Sequence, residues 1–260
     1  MNLAESAAPR PTDVYFFATC VVDQFFPGAG MDAITLLERE GIRVHFPDEQ
    51  TCCGQPAFTS GFRDEARKVA ALQLSLFPNN WPVVVPSGSC AGMMKHHYPT
   101  LFEADPVRSA QAVALSARIF EFTEFLVHVL GYQPEDKGAD CTVVLHTSCS
   151  ARREMGVHLT GRKLLGSLNG VTVAQQDHES ECCGFGGIFS VKQPEISGAM
   201  VEDKVKSLKA TGAERVVSAD CGCLMNILGH AAWKDEQDGR KTPSLPGEHI
   251  ASFLLRRTAK

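Results

Sequence analysis

The sequence lacks the long apolar runs, basic clusters and hydrophobic leader that often reveal where a protein works. No stretch approaches the about 18 uninterrupted apolar residues that a membrane-spanning helix needs. The net charge is -5, without the clustered excess of Lys and Arg typical of nucleic-acid-binding surfaces. Residues 1–13 contain no apolar run that could direct secretion. We therefore expect a cytoplasmic protein with no transmembrane segment and no nucleic-acid partner, although docking on a membrane protein stays open.

Several catalytic and nucleotide-binding motifs are also missing. The glycine-rich residues 28–30 and 184–187 complete neither a dinucleotide fingerprint nor a phosphate loop. No Ser/His/Asp triad signature or paired-carboxylate motif stands out, although such groups can converge from distant parts of a chain. The close-spaced C-x2-C-x2-C run of ferredoxins is absent. The sequence therefore leaves open whether the chain is an enzyme in its own right.

Cysteine, by contrast, is abundant, with 10 in 260 residues. Eight of them follow one plan that occurs twice: a lone cysteine, an adjacent pair followed by glycine, and a second lone cysteine. The first set is Cys20, Cys52, Cys53 and Cys90, and the second set is Cys149, Cys182, Cys183 and Cys223. A reducing cytosol argues against a disulfide framework. Eight repeated positions also argue against cysteines that merely fill a core.

Each half of the chain alternates between strand-like and helical patterns, and the strand-like runs lead toward the cysteines. Strands are predicted at residues 14–18, 42–46, 83–85, 142–145, 171–173 and 215–218, and helices at 30–39, 62–76, 110–120, 121–130 and 195–209. This alternation indicates a parallel sheet, whose strands all end at one edge. We predict an α/β protein of two pseudo-symmetric tandem domains. Each is a small, mainly parallel sheet flanked by helices, with cysteines at the strand carboxyl ends.

The domain limits follow from the repeat. Corresponding cysteines lie 129 to 133 residues apart, which favours two domains of similar size. The polar, turn-rich residues 131–138 separate them. We therefore predict a first cysteine-rich domain over residues 1–132 and a second over 139–260. The sequence of residues 249–254 in the second domain is similar to that of residues 121–126 in the first.

Four thiolates in each half indicate a metal centre. Thiolate is the soft ligand of iron–sulfur clusters, which four cysteines usually hold. Zinc also accepts four thiolates, but its structural sites usually use two close pairs. The spacing of lone, pair and lone therefore favours a polynuclear cluster. Gly54 and Gly184 fit such a centre, because glycine lets the chain turn sharply and present peptide N–H groups to sulfur.

The duplicated pattern Cys-x31-Cys-Cys-Gly-x35-Cys resembles the cysteine-rich CCG domain family. Its domain is found doubled in the cysteine-rich subunit of heterodisulfide reductase and in the iron–sulfur subunit of glycolate oxidase. Residues 86–94 and 218–226 are most similar to members of the family that act in lactate utilization. That resemblance implies an iron–sulfur electron-transfer subunit of a complex oxidising L-lactate to pyruvate. It also implies two partners, a ferredoxin-type iron–sulfur subunit and a smaller third subunit, and one [4Fe-4S] cluster per domain, with zinc possible in one site.

The chain departs from the family pattern at two positions. The full motif ends in Cys-x-x-Cys, but Ser87 and Asp220 stand at the first position of that closing pair. Each site is thus one thiolate short, which favours an ordinary four-iron cluster over disulfide chemistry. Cys221 is a candidate replacement ligand in the second domain, whereas Cys141 is predicted to be plain core.

Two alternatives stay open at this point. One is a thiol–disulfide oxidoreductase of the heterodisulfide reductase type, and the other is a zinc-bound structural or assembly protein. Among the remaining polar residues, His96, His97 and His146 could hydrogen-bond a sulfur, although ordinary surface or core roles are favoured. Arg152 and Arg153 either place positive charge beside a cluster or face water.

Overall fold

A computed structural model describes residues 10–259. Residues 1–9, which make up most of the N-terminal segment without an apolar run, and Lys260 lie outside the described residues. Within the described range, no helix combines the length and the apolar character needed to cross a membrane.

Within residues 10–259, eight strands form two sheets of four, and every pair of neighbouring strands is parallel. The strands are β1 Asp13–Phe16, β2 Arg43–His45, β3 Val83–Val85, β4 Ile119–Glu121, β5 Cys141–His146, β6 Val171–Ala174, β7 Arg215–Ser218 and β8 Gly247–His249. The order is β2-β1-β3-β4 in one sheet and β6-β5-β7-β8 in the other. The predicted α/β fold with two parallel sheets is confirmed.

Helices connect the strands and cover the sheets. They are α1 Cys20–Phe25, α2 Pro27–Arg39, α3 Gln55–Thr59, α4 Arg63–Leu74, α5 Gly88–Gly92, α6 Tyr98–Leu101, α7 Pro106–Ser116, α8 Phe122–Glu124, α9 Val157–Gly166, α10 Phe189–Lys192, α11 Pro194–Ala210, α12 Cys221–Gln237 and α13 Ile250–Arg257. The described part of the chain also contains π-helical turns at Met93–His97, Phe125–Val129 and Ala151–Met155.

The prediction of two consecutive helices over residues 110–130 was wrong at its centre. Helix α7 ends at Ser116, and β4 follows as an edge strand paired in register with β3. Ile119 is fully buried there, and its strand covers the edge of β3 by pairing Ile119 with Val83. Strand β8 takes the corresponding place beside β7.

The similarity between residues 121–126 and residues 249–254 has a structural basis. Glu121 ends β4 and caps α8, accepting a hydrogen bond from the Thr123 amide at 2.7 Å. His249 ends β8 and caps α13, since its Nδ1 accepts from the Ala251 amide at 3.1 Å. Both residues supply an acceptor for a helix N-terminus, as capping residues do.

One apolar core is shared by both sheets. It joins Val14 and Phe16 of β1 to Val143 and Leu145 of β5. Helix α2, which follows β1, packs on α13, and α9, which follows β5, packs on α8. These contacts are reciprocal between corresponding elements, so the two halves are related by an approximate twofold axis.

The segment between the sheets is fixed at one point. Residues 131–140 contain no helix or strand. Within them, the Asp136 carboxylate accepts from Arg257 Nε at 2.7 Å and pairs with Nη2 at 2.5 Å, and both side chains are buried. The domain limits 1–132 and 139–260 stay a prediction.

Candidate metal centre

The four thiols of the first half meet at the carboxyl ends of β1, β2 and β3. Cys20 opens α1, the Cys52–Cys53 pair precedes α3, and Cys90 lies in the first turn of α5. The thiols touch in sequence: Cys20 with Cys52, Cys52 with Cys53, and Cys53 with Cys90. The predicted convergence of distant cysteines is present.

The second half repeats this arrangement with the same order of contacts. Its thiols touch as Cys149 with Cys182, Cys182 with Cys183, and Cys183 with Cys223. Both cysteine pairs are followed by the same turn. The Gly54 and Gly184 amides donate to Cys52 Sγ and Cys182 Sγ at 3.4 and 3.3 Å, with φ of 86° and 82°.

Glycine is required at the second of these turns. A Cβ on Gly184 would lie 2.6 Å from the Ser197 carbonyl oxygen, and the positive φ is strained for other residues. The expected role of Gly54 and Gly184, a sharp turn that presents an N–H group to sulfur, is confirmed.

Both thiol sets line one cavity of about 320 Å³ between the halves. Its wall includes nine cysteines: Cys20, Cys52, Cys53, Cys90, Cys149, Cys182, Cys183, Cys221 and Cys223. All ten cysteines lie within residues 10–259, and none forms a disulfide. The cavity therefore offers two groups of reduced thiols to whatever enters it.

Ser87 and Asp220, which replace the expected fifth thiols, touch each other between the two sets. Asp220 Oδ1 accepts from Ser87 Oγ at 3.0 Å, from the Ser89 amide at 3.1 Å and from Ser89 Oγ at 2.7 Å. The two positions precede Cys90 and Cys223 by the same three residues. A contact between such corresponding residues places them at the approximate twofold axis.

Proton sharing sets the charge of the first thiol group. Hydrogen bonds from Cys20 and Cys53 lower the pKa of the Cys52 thiol to about 3. Donation to Cys52, together with burial, raises the pKa of Cys20 and of Cys53. In the second group, donation to Cys182 and burial raise the pKa of Cys149. Metals bind thiolates, so a bound metal displaces these shared protons.

The two pockets differ in their other polar groups. His146 is fully buried beside the second set, and burial lowers its pKa to about 3, so the imidazole is neutral. One ring nitrogen, Cys183 Sγ and Cys223 Sγ lie within 4.8 Å of one another. Lys204 is also buried there, and its Nζ donates to the His178 carbonyl at 2.7 Å. Sequence reasoning missed Lys204, which the pattern of a long amphipathic helix does not distinguish from its neighbours.

Cys221 and Cys141 do not take part in the thiol–thiol contacts of either four-cysteine group. Cys221 is buried among Val22 and Ala29 of the first half, although it also borders the cavity. Burial raises its pKa, and the Asp220 charge adds to that rise. Its assignment as a replacement ligand stays a prediction. Cys141 opens β5 outside the cavity and packs at the edge of the shared core.

The other polar candidates have partners of their own. His96 and His97 reach across to the second half, where they contact the Glu154 carbonyl oxygen at 3.1 Å and Glu154 Oε1 at 3.3 Å. Arg152 pairs with Glu179 at 3.1 Å. Arg153, unlike Arg152, lines the cavity, and its charge lowers the pKa of Cys149 against the larger opposing effects.

Comparison with known proteins agrees with this arrangement. The model of the cysteine-rich domain CCG matches twice, at residues 14–95 and 143–228. The chain belongs to the cysteine-rich CCG family. Lactate utilization protein A 1 of Bacillus mycoides is 47% identical to this CCG protein, over 93% of this chain and 96% of its own length. Lactate utilization protein A of Bacillus subtilis is 42% identical, over 93% of this chain and 98% of its own.

A solved structure extends the likeness of the CCG protein to the fold. A hypothetical protein from Helicobacter pylori has a TM-score of 0.64 at 10% identity, covering 97% of this chain and 51% of that chain. At that identity the likeness concerns the fold alone.

The donors of the CCG protein fit a metal or iron–sulfur group. Each half offers four adjacent thiols, and each places a peptide N–H group on the first cysteine of its pair. In the second half, both ring nitrogens of His146 are buried without a hydrogen-bond partner in residues 10–259. Soft thiolate donors of this kind select iron–sulfur clusters, zinc or copper over hard cations.

Proposed function

We propose that this CCG protein is the iron–sulfur electron-transfer subunit of a complex that oxidises L-lactate to pyruvate. The observation that carries the proposal is the opening of two matched four-thiol groups into one cavity. Relatives named lactate utilization protein A match 93% of the chain at 42 to 47% identity, which supports lactate as the substrate of the complex.

Each half would hold one [4Fe-4S] cluster. Cys20, Cys52, Cys53 and Cys90 would hold the first, and Cys149, Cys182, Cys183 and Cys223 the second. Such clusters accept and release single electrons at potentials set by charge, hydrogen bonding and exposure. Zinc in one of the two sites is the competing assignment, and Cys221 is a further candidate ligand.

The proposed role is electron relay, with lactate oxidised elsewhere in the complex. Two partners are proposed: a ferredoxin-type iron–sulfur subunit, whose close-spaced motif this chain lacks, and a smaller third subunit. The names of the relatives favour such a lactate-utilization system.

Disulfide reduction of the heterodisulfide type is the less favoured function. In that chemistry a fifth thiolate belongs to each site, whereas Ser87 and Asp220 occupy those positions and hydrogen-bond to each other. Neither residue offers a sulfur ligand. A zinc-bound structural or assembly protein is the other candidate, and metal analysis distinguishes it.

The first test is the metal content of protein purified without oxygen. We expect about eight irons per chain, matching acid-labile sulfide, and a paramagnetic signal after reduction, because two four-iron clusters contain eight irons. Zinc without sulfide would overturn the electron-transfer role.

The second test concerns the independence of the two centres. Cys53→Ser and Cys183→Ser should each remove one cluster signal and about half of the iron, while the control Cys141→Ser should remove neither. Loss of both signals from a single replacement would contradict two separate centres.

A further inference from the structure

Within residues 10–259, the second thiol group has a histidine nitrogen within 4.8 Å of two of its sulfurs, and the first group has no such arrangement. His146 precedes Cys149 by three residues, and the residue that precedes Cys20 by three is Phe17. Both side chains are fully buried at the ends of corresponding strands. Phe17 belongs to the same apolar cluster as Cys53, whereas His146 brings one ring nitrogen to within 4.8 Å of Cys183 Sγ and Cys223 Sγ.

The hydrogen bonding of His146 is unusual for a buried histidine. Buried polar side chains nearly always have a partner, and His249 in the same sheet illustrates the rule. Its Nδ1 accepts from the Ala251 amide, and its Nε2 lies 3.0 Å from the Pro86 carbonyl. Neither nitrogen of His146 has a partner among residues 10–259. One of these unpartnered nitrogens faces the pocket of the second thiol group, where it lies near Cys183 Sγ and Cys223 Sγ.

The distances suit coordination of a single metal atom. The His146 nitrogen and the Cys183 and Cys223 sulfurs all lie within 4.8 Å of one another. Zinc binds sulfur at about 2.3 Å and imidazole nitrogen at about 2.0 to 2.1 Å, so donors on one ion lie at most about 4.6 Å apart, close to the upper bound on the separations in this group. Iron also accepts mixed thiolate and imidazole sets, as in Rieske centres.

We propose that His146 is a metal ligand of the second centre, where its ring nitrogen lies beside the thiols of Cys183 and Cys223. This inference rests on the proposed metal binding in the second half. The first centre keeps four thiolates, so the two centres have different donor sets.

The surroundings of the second group agree with this difference. Gly54 faces the carbonyl of Ala66 and Gly184 faces the carbonyl of Ser197, so Ala66 and Ser197 occupy corresponding positions in the two halves. Seven residues after Ala66 lies Gln73, which donates to Thr51 Oγ1, and seven residues after Ser197 lies the cation Lys204. Lys204 compensates part of the negative charge of the thiolates in the second pocket. The His146 imidazole, as a neutral ligand, adds no negative charge there.

Nitrogen coordination is measured directly on the full chain, without any variant. The protein is prepared anaerobically with natural or 15N-labelled histidine, and electron–nuclear double resonance is recorded on the reduced iron centres. We expect a strongly coupled nitrogen that changes with the label. It should persist in Cys53→Ser, which retains the second centre, and in the control His96→Gln. It should vanish in Cys183→Ser and in His146→Phe, which copies Phe17.

The outcomes separate this inference from the proposed function. Iron and sulfide with no histidine coupling, or coupling that survives in His146→Phe, would overturn the ligand assignment and leave electron transfer intact. If iron and sulfide are absent, the same labelling is applied to the protein loaded with Co2+. Histidine coupling there would support the ligand and refute the iron–sulfur role, while its absence would refute both.

Discussion

Ser87 Oγ donates a hydrogen bond to Asp220 Oδ1 at 3.0 Å, joining corresponding positions of the two halves. In the family pattern both positions carry cysteine. Here they form a contact that links the halves instead of two more thiol ligands. Asp220 also accepts twice from Ser89, so one carboxylate oxygen collects three donors of the first half.

This contact predicts energetic coupling between Ser87 and Asp220. Hydrogen bonds to charged groups contribute about 1.5 to 3 kcal/mol. In a double-mutant cycle of Ser87→Ala and Asp220→Ala, we expect a coupling energy of about 1 to 3 kcal/mol. Urea unfolding of the reduced, metal-free protein measures it. Effects that add to within about 0.5 kcal/mol would show that the two residues do not interact.

Cys221→Ala tests the remaining candidate ligand. Its side chain packs among Val22 and Ala29, so we expect unchanged iron content and a loss of about 1 kcal/mol in stability. Iron analysis and thermal unfolding of the same preparation give both numbers. Cys141→Ala is the matched control, and a loss of iron confined to the Cys221 variant would establish Cys221 as a ligand.

Gly88→Ala tests the close packing between the halves. A Cβ at Gly88 would lie 2.9 Å from Val157 Cγ2 and would also collide with Ala151. Overpacking of this kind costs about 1 to 3 kcal/mol. It should also disturb Cys90, two residues further on in α5. Gly28→Ala is the control, because a Cβ there meets no atom within 4 Å. Equal stability of the two variants in urea would contradict the tight contact.

Asp136→Asn tests the anchor of the segment between the sheets. Arg257 holds the pKa of Asp136 down at about 2, below its ordinary value of 3.8. A lowered carboxyl pKa stabilises the fold above about pH 4, and that stabilisation is lost as the pH falls through about 2. We expect a loss of about 3 to 5 kcal/mol at pH 7, as when a buried ion pair is broken.

The pH dependence supplies the check on this anchor. The difference between wild type and Asp136→Asn should shrink as unfolding is repeated at lower pH, toward pH 2. Asp64→Asn removes an exposed ion pair with Arg67 and should cost about 0 to 1 kcal/mol at any pH. A constant difference for Asp136→Asn across this range would rule out the charge as the source of its effect.

The sequence predicted the part of the fold that depends on local pattern. Apolar runs such as residues 83–85 identified buried strands, and the alternation at residues 42–46 identified a partly exposed one. Together these patterns located six of the eight strands found in residues 10–259. It missed β4 and β8, three-residue strands that take their conformation from pairing with β3 and β7. The cysteine convergence followed from topology alone.

The interface between the halves could not be predicted in the same way. Ser87 and Asp220 were identified as departures from a motif, but their contact depends on the approximate twofold packing. His146 was assigned an ordinary core role because a single buried histidine usually has one. Only the placement of Cys183 and Cys223 around its ring distinguishes it, and Lys204 likewise acquires its significance from tertiary position.

The packing of α2 against α13 has a consequence for biosynthesis. Helix α2 follows directly on the helix that begins with Cys20, whereas its packing partner α13 is synthesised much later, because it begins only at Ile250. The four thiols of the first group are therefore synthesised well before the core that holds them is complete. If the proposed cluster is assembled on a completed core, the thiols of that group must stay reduced until α13 has been synthesised.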